Sequence, residues 1–328
     1  MDKPRKILII KPGYSEMLDE RNNSRKVSLG DVIRATPILH LFKNDHVTWV
    51  TDPEAIPLLE GNSLIQKIIP YDFTTALQLE SEEFDTIINL EKIPGICALA
   101  DSIKARKSRH GFTFNSQTGE AEALDKAYEV LTVSSDPIAK KENKKTSQEL
   151  LFEMMGKKWN GEGYNLGYKP KNKEIYDVAL NTQIGQKWPT KAWATKNWDK
   201  LEELLSSGEF KVTRQNKQAK EVLTNLNSYM DWINSAKVFV SNDSLGIHLG
   251  IALEKYSLGL FGPTPSSEVY FYNKGEALVP KSNCEYIPCF RGKCLTGENC
   301  INNILPETVY DKIKKYFKEE KNERRSKN

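Results

Sequence analysis

The stretch AKVFVSNDSLGIHLGIAL, residues 236–253, is a strand, a polar turn and a helix in direct succession. AKVFVSN is apolar and rich in β-branched residues, as a buried strand is. Asn242, Asp243 and Ser244 make the turn, and an apolar helix opens near Gly246. A strand that runs through a polar turn straight into a helix is the repeating unit of a parallel α/β sheet. Outward from it, IYDVALN (175–181) and SLGLFG (257–262) are expected strands, with a helix near 195–207. Toward the N-terminus KILIIKP (6–12), HVTWVT (46–51) and FDTIINL (84–90) repeat the strand pattern, and a helix is expected over Asp31–Phe42. Between about 115 and 170 the pattern weakens into KKENKK (140–145) and WNGEGYNLGYKPKNK (159–173). Gly-, Asn- and Lys-rich sequence of this kind marks a boundary, so two α/β domains are expected, 1–165 and 166–308.

Composition agrees with a chain of 328 residues that can bury two cores: 39% hydrophobic and 28% charged. Lys+Arg 47 against Asp+Glu 44 leaves +3, too balanced for a surface that reads nucleic acid, and no nucleic-acid partner is expected. From Lys312 to Asn328, eight basic and three acidic residues give a local +5. No run of apolar residues approaches a membrane span, and Ile7–Ile10 is too short for a signal segment. With only five cysteines, the simplest expectation is a cytoplasmic protein.

Ligands of parallel α/β sheets bind beyond the carboxyl ends of the strands, and three such loops carry unusual residues. In SLGDVIRATP (28–37), Asp31 opens a helix, where it is either a reactive carboxylate or an acid favoured by the helix dipole. In NTQIGQKWPTKAW (181–193), Thr182 and Lys187 offer a hydroxyl and an ammonium to a phosphate; a solvated loop lysine is the plainer reading. In the opening stretch, Ser244 can cap the helix, Gly246 permits close approach of a diphosphate, and the free N–H groups of the first turn attract an anion. His248 lies in that turn, where a lone histidine is more often structural than chemical. No GxGxxG, P-loop, HExxH or GxSxG is present.

Cys284, Cys289, Cys294 and Cys300 crowd into one segment, spaced C-x4-C-x4-C-x5-C. Four thiolates can hold zinc or iron tetrahedrally, although structural zinc sites favour tighter pairs and free thiols remain the alternative. Cys97, alone in an apolar segment, is expected in the core.

Taken together, KILII followed by SLGDVIRATPIL, then KWPTKAW, VSNDSLGIHLGIAL, FGPT and CEYIPCFRGKC resemble glycosyltransferase family 9, the ADP-heptose:lipopolysaccharide heptosyltransferases and their relatives. The resemblance covers most of the chain in order. It implies the GT-B architecture, two Rossmann-like domains facing across a cleft, with a closing helix (309–328) that returns to the N-terminal domain. It places Asp31 on the family's catalytic base and Thr182, Lys187, Asp243, Ser244, Gly246 and His248 on donor-binding positions. The implied reaction is an inverting, metal-independent transfer from a nucleotide-sugar, ADP-heptose first among them, to a glycan or lipid-linked acceptor. No cofactor is required by it, and zinc or iron at the cysteines would be structural. Other GT-B activities, such as a protein-directed transferase or an epimerase, and a silent sugar-nucleotide binder are the alternatives. The sequence departs from the family in the inserted GYSEMLDERNNSRK (13–26) and in NDSLG, where the family has NDTGP. Ile313, Tyr316 and Phe317 share a helical face, while KEEKNERRSKN after them cannot bury anything and is expected to be disordered, a basic tail suited to peripheral contact with the inner membrane.

Overall fold

The computed structural model describes residues 3–14, 27–185, 188–215 and 225–327. The chain divides into two units, Met1–Lys169 with Ser267–Tyr270, and Pro170–Ser266 with Phe271–Asn328. The division after Lys169 lies inside the Gly-, Asn- and Lys-rich stretch, four residues beyond the expected boundary.

The first unit is built on a sheet of β1 (Lys6–Ile10), β2 (His46–Thr51), β3 (Lys67–Pro70), β4 (Glu83–Asn89), β5 (Lys104–Asn115) and β6 (Glu120–Ala123), in the order β3-β2-β1-β4-β5-β6. All neighbours are parallel except β5 and β6. Ile7, Leu8, Ile9 and Ile10 are all fully buried, because a central parallel strand is covered on both faces. The expected helix over Asp31–Phe42 is two pieces, an α-helix Leu29–Ala35 and a 3-10 segment Thr36–Phe42. Pro37, which lacks an N–H, explains the change. β5 was not anticipated; its sequence, KARKSRHGFTFN, is polar, and Glu83 of the neighbouring strand pairs with Lys104 and Arg106. Ser267–Tyr270 is held within this unit: the Ser267 hydroxyl donates to the Asn143 carbonyl, and Tyr270 meets Trp159 edge-on at 4.9 Å.

The second unit has an all-parallel sheet of β7 (Tyr176–Asn181), β8 (Val212–Arg214), β9 (Ala236–Asn242), β10 (Tyr256–Leu260) and β11 (Gly275–Leu278), in the order β11-β10-β9-β7-β8. Val178, Leu180, Val238, Val240, Leu258 and Leu260 share one core with Trp198, Leu201 and Leu205 of the helix Thr195–Ser207.

The C-terminal helix, Pro306–Lys327, belongs to the second unit. Val309, Ile313 and Phe317, at i, i+4 and i+8, form the apolar stripe that joins this core, and Tyr316 stacks on Tyr256 at 4.3 Å. The polar end is helical rather than disordered: Glu320 pairs with Arg324 one turn on and with Lys237. Among the described residues, no helix is long and apolar enough to cross a membrane.

Candidate functional site

In each sheet the strand order reverses once, between β1 and β4 in the first and between β7 and β9 in the second. Loops leaving the two strands at such a reversal diverge and open a crevice, which is where α/β sheets bind ligands. Among the described residues, Asp31 falls at the first reversal, and Thr182, Asp243, Ser244, Gly246 and His248 fall at the second.

In the first unit Lys11 follows β1, Glu91 and Lys92 follow β4, and Asp31 opens the helix Leu29–Ala35. Lys11 Nζ lies 3.1 Å from Glu91 Oε1, with both side chains almost fully buried. The same carboxylate accepts the N–H groups of Gly13 (2.5 Å) and Tyr14 (3.1 Å), which fixes the chain as it leaves β1. Lys92, also buried, donates to Ser134 Oγ at 2.8 Å and faces the Phe112 ring. Burial, then the charge of Lys11, push its ammonium down to about 8 against the pull of Asp31 and Glu91. Arg34 lies between two carboxylates, 3.6 Å from Asp31 and 3.3 Å from Glu268. Burial raises the Asp31 carboxyl, but Lys11, Arg34, the Ser28 hydroxyl and Lys92 together outweigh it and hold it below the ordinary aspartate value. Asp31 is thus ionised at neutral pH with a quarter of its side chain exposed, as a proton acceptor has to be. The dipole of its helix contributes in the same direction.

In the second unit a polar network ties β7 to β9. Asn181 donates to Ser241 Oγ (2.8 Å) and Ser244 Oγ (3.4 Å), and accepts from the Tyr229 hydroxyl (2.8 Å). Asn242 donates to the Thr182 carbonyl and accepts the Trp193 N–H, both at 3.1 Å. Ser244 caps the helix Leu245–Ala252 by accepting the Gly246 N–H. A Cβ on Gly246 would lie 2.5 Å from both Asn181 and the Tyr229 hydroxyl, so this glycine has a packing reason of its own, apart from any approach of a diphosphate.

Asp243 is bound tightly. Lys191 Nζ lies 2.8 Å from its Oδ2, and Thr264 donates to the same oxygen at 2.6 Å. Burial raises its carboxyl, yet the Lys191 charge, the hydrogen bonds from Lys191 and Thr264 and the charge of His248 hold it at about 2. His248 is buried within the helix. Thr182 is half-buried beyond the end of β7. Lys187, the diphosphate candidate from the sequence, and residues 15–26 of the insertion lie outside the described residues.

Cys284, Cys289, Cys294 and Cys300 line one cavity of ≈ 20 Å³ together with Tyr286, Ile287, Arg291, Leu295 and Thr296. That space holds about one water or one ion. All four are free thiols. Burial, then the charges of Cys289, Cys284 and Cys294, raise the Cys300 thiol, so the four sulfurs feel one another. Among the described residues, however, no three Cys, His, Asp or Glu side chains are gathered closely enough to hold a metal ion. The segment braces the turns that follow β7 and β10. Thr190, in the 3-10 turn Pro189–Lys191, donates to the Arg291 carbonyl, and the Phe290 N–H donates to the Pro263 carbonyl. Gly262 is packed so closely that a Cβ there would lie 2.9 Å from Ile301 and 3.3 Å from Cys300 Sγ. Cys97 is in the core, as expected.

The sequence reading overlooked Lys11, Glu91, Lys92, Asn181, Tyr229, Lys191 and Thr264. A signal existed for Glu91 and Lys92, charged residues immediately after the buried strand β4. For Lys191 there was none, since its carboxylate lies 52 positions away in the chain.

Residues 215–299 match the profile of glycosyltransferase family 9 (heptosyltransferase). The chain is similar to family 9. The match holds Asp243, Ser244, Gly246, His248 and three of the four clustered cysteines, and it leaves out Asp31 and Lys191. Family-9 likeness extends to solved structures. The glycosyl transferase family 9 protein of Veillonella parvula is 16% identical, over 94% of this chain and 95% of that one, with a TM-score of 0.64. The ADP-heptose lps heptosyltransferase II of E. coli is 14% identical, over 96% and 99%, also at 0.64. The iron-containing dodecameric glycosyltransferase TibC of enterotoxigenic E. coli is 13% identical, over 97% and 77%, at 0.59. At these identities the likeness shows the fold: two Rossmann-like α/β units, the GT-B type. No curated protein matches by sequence.

Proposed function

We propose that the chain is a glycosyltransferase that moves a sugar, heptose first, from a nucleoside-diphosphate donor, ADP first, to a hydroxyl of a glycan or lipid-linked glycan. The observation that carries this is an ionised, partly exposed aspartate ringed by Lys11, Arg34 and Lys92 at the strand reversal of the first sheet. Asp31 takes the proton of the acceptor hydroxyl while that oxygen bonds to the anomeric carbon. The bond from that carbon to the diphosphate breaks, and its electron pair leaves with the phosphate oxygen. One displacement on one face inverts the anomeric centre, and it needs one base and positive charge opposite the leaving group. Lys187, by resemblance, and the N-terminus of the helix Leu245–Ala252 supply that charge from the protein itself. A transfer assay with ADP-, UDP-, GDP- and dTDP-sugars tests the reading. Asp31→Asn should lose transfer and keep donor binding; a variant that transfers as well as the wild type removes the base, and a chain that binds none of these donors is no glycosyltransferase.

Two finer points belong to the same proposal. Four sulfur donors around one ion-sized cavity suit a soft cation such as zinc or iron, with Cys284, Cys289, Cys294 and Cys300 as ligands once the loop tightens. That ion would fix the loop and take no part in transfer. Metal analysis of the purified chain should find about one zinc or iron per chain; four titratable thiols without metal exclude it. The basic C-terminal end gives peripheral attraction to anionic lipid, so deleting residues 319–328 should weaken vesicle binding at low salt.

A further inference from the structure

We propose that Lys191 is a second cation of the donor site, the one that receives the diphosphate, with Asp243 and Thr264 as the groups that hold it in place. This rests on the glycosyltransferase reading and names a residue that neither the family match nor the sequence pattern assigns. Lys191 closes the 3-10 turn Pro189–Lys191, which follows the donor-side loop after β7. Its ammonium lies 2.8 Å from Asp243, the residue immediately before the cap of the helix Leu245–Ala252. The charge is therefore delivered to a helix N-terminus at the strand reversal of the second sheet, where backbone N–H groups already favour an anion.

The comparison with Lys11 is informative. The Lys11–Glu91 pair is shut in, with exposures of 7% and 0%. Lys191 and Asp243 keep 17% and 13%, so a ligand can reach them. An ammonium has three donors, and among the described residues Asp243 is the only carboxylate that takes one. The stem is directed as well as the head. The ammonium faces the Trp188 ring at 5.9 Å, and the turn is anchored by the hydrogen bond from Thr190 to the Arg291 carbonyl. Asp243 cannot itself bind a diphosphate, because like charges repel. Its place is behind the lysine, where Thr264 fixes the carboxylate oxygen that fixes the ammonium.

The test is calorimetric titration of the full chain and of Lys191→Met and Lys191→Arg with nucleoside diphosphates (ADP, UDP, GDP, dTDP) and with the matching nucleosides. Methionine keeps the stem against Trp188 and removes the charge. The expected result is a loss of about tenfold or more for the diphosphate that binds the wild type. The nucleoside should be unaffected, and arginine should restore most of the loss. Equal affinity of Lys191→Met and wild type for that diphosphate overturns the proposal. So does an equal loss for diphosphate and nucleoside, which would mark a structural lysine. If the wild type binds no nucleoside diphosphate at all, the glycosyltransferase reading fails first. If it binds one and Lys191→Met binds it equally, only the assignment of Lys191 fails.

Discussion

Asp31 and Asp243 stand at matching places, each beside a strand reversal, and both are held below the ordinary aspartate value. They are held in different ways. Asp243 has a lysine at 2.8 Å and a hydroxyl at 2.6 Å on one oxygen, a contact that leaves it little freedom. Among the described residues, the nearest cation to Asp31 is Arg34 at 3.6 Å, shared with Glu268; Lys11 and Lys92 attract it through space, and the Ser28 hydroxyl adds one hydrogen bond. A carboxylate kept ionised by a surrounding field stays available to a proton. One locked in a direct pair serves to orient its partner. The same residue type with the same direction of shift therefore points to a base in one unit and to a fixed counter-ion in the other.

The largest effect expected from this contrast is on turnover. Asp31→Asn should cut transfer by about 10²- to 10⁴-fold, the usual contribution of a positioned base, with donor affinity and thermal midpoint unchanged. An Asp243→Asn variant with the greater loss of turnover at intact donor affinity would reverse the assignment. Next in size is stability. Asp243→Asn should lower unfolding free energy by about 2–3 kcal/mol in denaturant titration, less than for a fully buried pair because Lys191 keeps some solvent. Asp31→Asn should change it by much less, and comparable losses would erase the distinction.

Acid should separate the two further. Asp243 has a folded value of about 2 against an ordinary 3.8, so its stabilisation is complete above pH 3.8 and disappears as pH falls toward 2. Stability of the wild type should drop across that window, and Asp243→Asn should flatten the drop; parallel curves would contradict the tight pairing. A counterpart at the alkaline end belongs to Lys92. Its folded value of about 8 lies below the ordinary 10.5, so the unfolded chain binds the extra proton between these limits and stability rises with pH across them. Lys92→Met should remove that rise in a pH series of thermal midpoints, and an unchanged slope would mean that the lysine is not strained by burial.

Much of this arrangement was legible in the sequence wherever a strand is apolar throughout. β1, β2, β4, β7, β9 and β10 announce themselves because a covered parallel strand tolerates almost nothing polar on either face. β5 is masked by cross-strand pairing of Lys104 and Arg106 with Glu83, which lets a polar sequence enter a sheet. Asp31, Asp243 and Ser244 could be placed because turn residues between strand and helix have a local signature. Lys191 could not, since its meaning depends on Asp243 and Thr264, both supplied by other loops. The apolar face of the last helix was legible too, through Ile313 and Phe317, which pack with Val309 into the second core.

That helix has a consequence for how the chain is made. Synthesis runs from the N-terminus, and domains fold as units when their sequence becomes complete. The first unit has nearly all of its residues by Lys169, lacking only Ser267–Tyr270. The second carries Val178, Leu180, Val238, Val240, Leu258 and Leu260 in a core that Phe317 helps to close. Its sheet therefore waits for the helix Pro306–Lys327 before its apolar face is shut away from water. A chain that stops short near residue 305 would leave that face open, a target for chaperones and proteases, while the first unit is already folded.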